Sequence, residues 1–112
     1  MKVKNGEKMK VTYNMCFMYN NYDIIKSHKV LNSFDDNMYD MLCACMTLLF
    51  DRKNDNDDIN INTPIDTKNI DICNLFIDSI YTDYINHHER VNSKVESLMF
   101  DLMSFISVLI YG

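Results

Sequence analysis

Apolar residues recur along this chain at helical spacing. Val11, Met15, Met18, Tyr22 and Ile25 step by four, three, four and three, which puts them on one face of a helix or of two helices in line. The same stretch opens with strand-forming Val11-Thr12-Tyr13, after a hairpin-type Asn5-Gly6 pair. It reads either as a helix over about residues 10–20 or as a short hairpin. Asn20-Asn21 interrupts it, and a second short helix is predicted from Tyr22 or Asp23 to about Asn32, with Ile24, His28 and Leu31 inward.

Ser33 and the Asp35-Asp36 pair can cap a third helix, accepting from its first-turn amides and meeting the positive end of its dipole. Met38, Leu42, Cys45 and Leu49 form its stripe, widened by Met41 and Leu48, and it is predicted to end near Arg52-Lys53. Asn54-Asp55-Asn56-Asp57-Asp58 lies within a surface loop over 53–62. Thr63 as N-cap and Pro64 at the first helical position predict the next helix, with Asp66 or Thr67 as an alternative start. Its stripe is Ile70, Cys73, Ile77, Ile80 and Tyr84, and that helix is expected near the centre of the fold. Asn86 to Arg90 breaks the pattern, and Ser93-x-x-Glu96 reads as a capping box opening the last helix. There Val95, Leu98, Leu102, Phe105 and Leu109 form one stripe, with Met99, Met103, Ile106 and Ile110 beside it. So apolar a helix predicts burial between other helices, against a partner, or both.

The chain has 112 residues, enough for one domain with a core of its own. Only 2 Gly and 1 Pro against 47% hydrophobic residues favour long uninterrupted elements. The fold class expected is all-α, a single compact helical bundle over 1–112 in which 1–9 is flexible or a hairpin. Sixteen acidic against 11 scattered basic residues give a net charge of -5, which argues against nucleic acid as a partner. The last helix falls short of the roughly 20 apolar residues of a membrane span. Met1 to Lys10 is charged and lacks the apolar core of a signal peptide, so a cytosolic setting is expected.

Little points to chemistry. Cys16, Cys43, Cys45 and Cys73 stand at apolar helical positions without a C-x-x-C pair and read as buried free thiols. The Asp/Asn run lacks the glycine and closing glutamate of a calcium loop. His87-His88-Glu89 are adjacent on a helix, about 100° apart, and cannot converge on a metal as an i, i+4 pair does. Asp35, Asp36 and Asp40 lack the glutamate pairs on a second helix that an all-helical nucleotide pyrophosphatase uses. No nucleophile elbow or phosphate-cradling loop is present, so no enzyme, cofactor or metal is expected.

The run from Lys29 to Leu42 joins an apolar helix end (Val30, Leu31, Phe34) to an acidic cap (Asp35, Asp36) and a second apolar helix. It resembles the corner between the second and third helices of the poxviral Bcl-2-like proteins. Phe17 and Tyr19 are similar to the family's first helix, although its tryptophan is absent. Ile59-Asn60-Ile61-Asn62 leading into Ile70-Asp71-Ile72-Cys73 looks like the entry to its central helix, and Leu98 to Tyr111 like its closing helix. The chain departs from the family in its short N-terminus and in running Asp35 to Arg52 as one helix.

The resemblance implies a Bcl-2-like bundle with a shortened or hairpin N-terminus. It also implies a non-enzymatic viral virulence factor in the host cell cytoplasm that binds host proteins and inhibits innate immune signalling, through NF-κB or interferon induction. The alternatives are an apoptosis inhibitor holding an amphipathic death-motif helix, or an unrelated small helical regulatory or phage protein. The groove candidates are Leu31, Phe34, Met38 and Leu42. A homodimer face is expected from Met15, Met18, Tyr22, Met99, Met103, Ile106 and Ile110.

Overall fold

The computed structural model describes residues 11–52, 54 and 57–112. The flexible or hairpin segment expected over 1–9 lies outside them. From Tyr13 onward the first apolar stripe is a helix, α1 (Tyr13–Asn20), not a hairpin. Thr12, in extended geometry, caps it: the hydroxyl accepts from the Met15 amide at 3.1 Å and donates to Asp101 Oδ2 at 2.9 Å. The break at Asn20-Asn21 occurs as expected, and both asparagines work at it. Asn21 Nδ2 donates to the Phe17 carbonyl at 2.9 Å. The Asn20 side chain donates to the Ile59 carbonyl at 2.9 Å and accepts from the Ile59 amide at 2.8 Å, so it satisfies both backbone groups of a loop residue as a paired strand would. Ile59 is buried in consequence, while Asn54, Asp57, Asp58 and Asn60 to Asn62 around it are exposed.

The second helix, α2 (Tyr22–Ser27), is one and a half turns long and contains no buried residue. The predicted extension to Asn32 does not form: His28 ends the helix and Lys29 takes a left-handed φ of 54°. Ile24 and His28, expected inward, are exposed, and Ile25 and Leu31 pack half-buried against the core.

Asn32, rather than Ser33, caps α3 (Ser33–Leu49), its side chain accepting from the Asp35 amide at 2.9 Å. Asp35 meets the helix dipole as expected and does something more. Among the described residues its carboxylate is the buried charged group of the core, 2% exposed, and Oδ1 accepts from the Asn92 amide at 3.0 Å. The Met38, Leu42, Cys45 and Leu49 stripe is buried throughout. Helix α3 stops before the expected Arg52 because Phe50 turns extended and bridges Ile65, with the Asp51 amide on the Pro64 carbonyl (2.9 Å) and the Asp66 amide on the Leu49 carbonyl (2.7 Å).

This short pairing overturns the helix start at Thr63-Pro64. The Thr63 hydroxyl accepts backward, from the Asn60 amide at 2.8 Å, and proline suits an extended position that needs no N–H. Helix α4 (Ile70–His87) begins a full turn and more later, and a 3₁₀ turn over His88–Arg90 follows it. Asn92 opens α5 (Ser93–Tyr111), accepting from the Lys94 amide at 2.9 Å. The N-cap thus falls one residue before the expected Ser93 and the capping box does not form, the Glu96 carboxylate accepting the Tyr84 hydroxyl of α4 instead.

Helix α5 touches α1, α3 and α4 and is the centre of the bundle. Val95, Leu98, Met99, Leu102, Phe105 and Ile106 are all buried on it, which accounts for its apolar character. Helix α4, expected at the centre, is peripheral: it buries only Cys73, Ile77 and Ile80 and leaves Ile72, Leu75, Phe76, Tyr81 and Ile85 exposed. The fold is all-α, and among the described residues no helix is long and apolar enough to cross a membrane.

Candidate binding cleft

The early end of α2 leaves an apolar hollow of about 290 Å³. Phe17 and Met18 of α1 form one wall, Ile24 and Ile25 of α2 a second, and Val30 and Leu31 of the following turn a third. Asn21, His28, Asn92 and Lys94 complete the lining. Phe17, Ile24 and Val30 are 53%, 55% and 63% exposed. Three large apolar side chains around one hollow form a patch, and patches on small proteins mark interaction sites more often than scattered single residues do.

A second, polar hollow of about 380 Å³ lies between α1, α2, α3 and the loop after Leu49. Several of its polar groups are engaged with one another. Asp40 accepts from the Tyr22 hydroxyl and from Lys26 Nζ at 2.8 Å. Tyr19 and Thr47 share a hydrogen bond of 2.8 Å, and Arg52 lies over the Tyr19 ring at 5.3 Å while donating to the Asp57 carbonyl. Partial burial works to raise the Asp40 pKa, but the hydrogen bonds from Lys26 and Tyr22 and the Lys26 charge hold it below the usual carboxylate range. The hydrogen bond to Asp40 raises the Lys26 pKa. These groups tie α2 to α3, which makes the hollow a structural joint.

No family model, curated protein or solved structure matches this chain. The site therefore rests on its own geometry.

Of the predicted groove, Met38 and Leu42 are core residues, 3% and 0% exposed, and only half-buried Leu31 and Phe34 reach the surface. Leu31 enters the apolar cleft; Phe34 turns toward α4 and packs on the His87 ring at 5.0 Å. Of the predicted dimer face, Met15, Met18, Met99 and Ile106 are covered within one chain, because α5 is the centre of the bundle and α1 lies on it. Tyr22 and Met103 are half-buried, and Ile110 is exposed.

Among the described residues no three His, Cys, Asp or Glu side chains are placed to hold a metal ion. Asp36 and Asp40 both approach Lys26, at 3.8 and 2.8 Å. His87 and His88 lean on different rings, Phe34 and Tyr84. All four cysteines are free and buried, and burial pushes the Cys43 and Cys45 thiols up to about 12.

Periodicity does not mark the cleft residues Phe17, Ile24, Val30 and Lys94 as a site. Phe17 stands off the first stripe, and the pattern turns Ile24 inward where α2 in fact faces the core with Tyr22 and Ile25. The one sequence signal is a mismatch: Val30 fits no stripe shared with Ile24 and Leu31.

Proposed function

We propose that this protein acts without catalysis, as a cytoplasmic viral antagonist that sequesters a host protein of innate immune signalling. Two lines support the reading. The Leu31/Phe34/Asp35/Asp36 corner resembles that of the poxviral Bcl-2-like proteins, and the chain shares their all-α class, with α5 rather than the expected α4 at its centre. The observation that carries it is the apolar cleft ringed by Phe17, Ile24 and Val30, a surface whose exposure is costly in water unless a partner covers it. The cell-death alternative has less support, since two of its four groove residues are sealed in the core.

The test is expression in mammalian cells carrying NF-κB and interferon-promoter reporters. The wild-type chain should lower at least one signal after stimulation, and Ile24→Glu should restore it while keeping the wild-type circular dichroism. A folded, expressed wild-type chain that leaves both reporters unchanged refutes the function, and an Ile24→Glu variant that still inhibits refutes the cleft as its site.

A further inference from the structure

Resting on that reading, we infer that the cleft takes a short apolar segment of a partner protein, two adjacent large side chains bordered by carboxylates. Size and exposure bear on the first half. Small-molecule pockets run from roughly 300 to 1,000 Å³ and enclose most of the ligand; at about 290 Å³, walled on three sides and open on the fourth, this hollow stands at the bottom of that range and has room for a few side chains. An anchor pair carried on a longer chain fits such a space, with the rest of the chain lying across the exposed edges of Phe17, Ile24 and Val30.

Charge decides the second half. The chain as a whole carries 16 acidic and 11 basic residues, yet the cleft lining contains Lys94 and His28 and no carboxylate. Among the described residues Lys94 and His28 make no ion pair; the salt bridges found there belong to Lys26. An acidic chain that keeps its carboxylates off one apolar surface and places the Lys94 cation there favours an acidic segment. Charged rims of this kind set selectivity and association rate more than total affinity. The effect should therefore appear as a preference between otherwise equal ligands.

The experiment is selection from a displayed library of short peptides. The apolar positions vary among Leu, Ile, Met and Phe, and the flanking positions vary among Asp, Asn and Lys. The full-length chain should enrich paired apolar residues with Asp several-fold over Asn and more over Lys. The Lys94→Glu variant should invert the Asp-to-Lys preference, and Ile24→Glu should enrich nothing. Equal recovery of Asp, Asn and Lys, or recovery that Ile24→Glu leaves intact, overturns the inference. So does Ile24-dependent binding to phosphatidylcholine–phosphatidylserine vesicles without peptide selection, which would make the surface a lipid contact. If the charge preference fails while Ile24→Glu still abolishes reporter inhibition, the binding function stands and only this assignment of the occupant falls.

Discussion

Tyr39 is the side chain whose loss should be felt most sharply for its size. It is fully buried on α3, its ring packs 5.3 Å from that of Tyr22, and its hydroxyl donates to the Met18 carbonyl. Met18 lies in the last turn of α1, where carbonyls have no intrahelical partner. Tyr39 thus finishes α1 from another helix, and burial, which opposes ionisation, pushes its pKa well above the usual tyrosine range. Tyr39→Phe keeps the ring and removes the donor, leaving a buried acceptor unsatisfied at a cost of about 1–3 kcal/mol. For a chain of this size each kcal/mol lowers the melting temperature by about 4 °C, so a fall of roughly 4–12 °C is expected. Urea unfolding should give a lower midpoint at unchanged m-value, since the surface exposed on unfolding is the same. Tyr22→Phe is the control: that hydroxyl bonds Asp40 at the surface, and its loss should cost under about 1 kcal/mol. Equal, small effects from both variants would show that water satisfies the Met18 carbonyl and that Tyr39 matters only as a ring.

Asp35→Ala should cost about 1–3 kcal/mol by orphaning the Asn92 amide, whereas Asp35→Asn, which keeps an acceptor, should cost less; chemical denaturation separates the two. The Cys43 and Cys45 thiols, buried with pKa raised to about 12, should resist a disulfide reagent at a pH of about 8 in folded protein and react at once in denaturant. Rapid labelling of the native chain would contradict their burial. If the protein is a twofold dimer, its face must be built from groups that remain outside, such as Phe100, Met103 and Ile110 of α5. Sedimentation equilibrium should then show a dimer that Ile110→Asp disrupts without unfolding, and a single monomeric species at high micromolar concentration refutes it.

The stripes of α3 and α5 are readable because long helices average the 3.6-residue period over several turns, and Met38, Leu42, Leu98 and Leu102 stand buried where that period puts them. The caps of α3 and α5 are legible to within one residue: Asn32 and Asn92 take the roles expected of their serine neighbours, since an asparagine side chain reaches the first-turn amides equally well. The misreadings come from tertiary pairing. Nothing local announces that Phe50 will bridge Ile65 and draw Pro64 into extended chain, or that Lys29 will turn left-handed and stop α2. The cleft is a product of that stop, so it is hidden for the same reason.

The way α1 is anchored has a kinetic meaning. Helices α3, α4 and α5 succeed one another and pack as neighbours in sequence, but α1 reaches its place on α5 through contacts such as Thr12 to Asp101, 89 residues apart. Loop closure over that span carries an entropic cost, so α1 and the short α2 should dock last in folding and release first in native-state hydrogen exchange. Two walls of the cleft belong to this late-docking unit, while Lys94 of its lining stands on the first turn of the central helix. A ligand seated there would bridge the late-docking helices to the central one, slowing exchange in α1 and α2 long before it altered global stability.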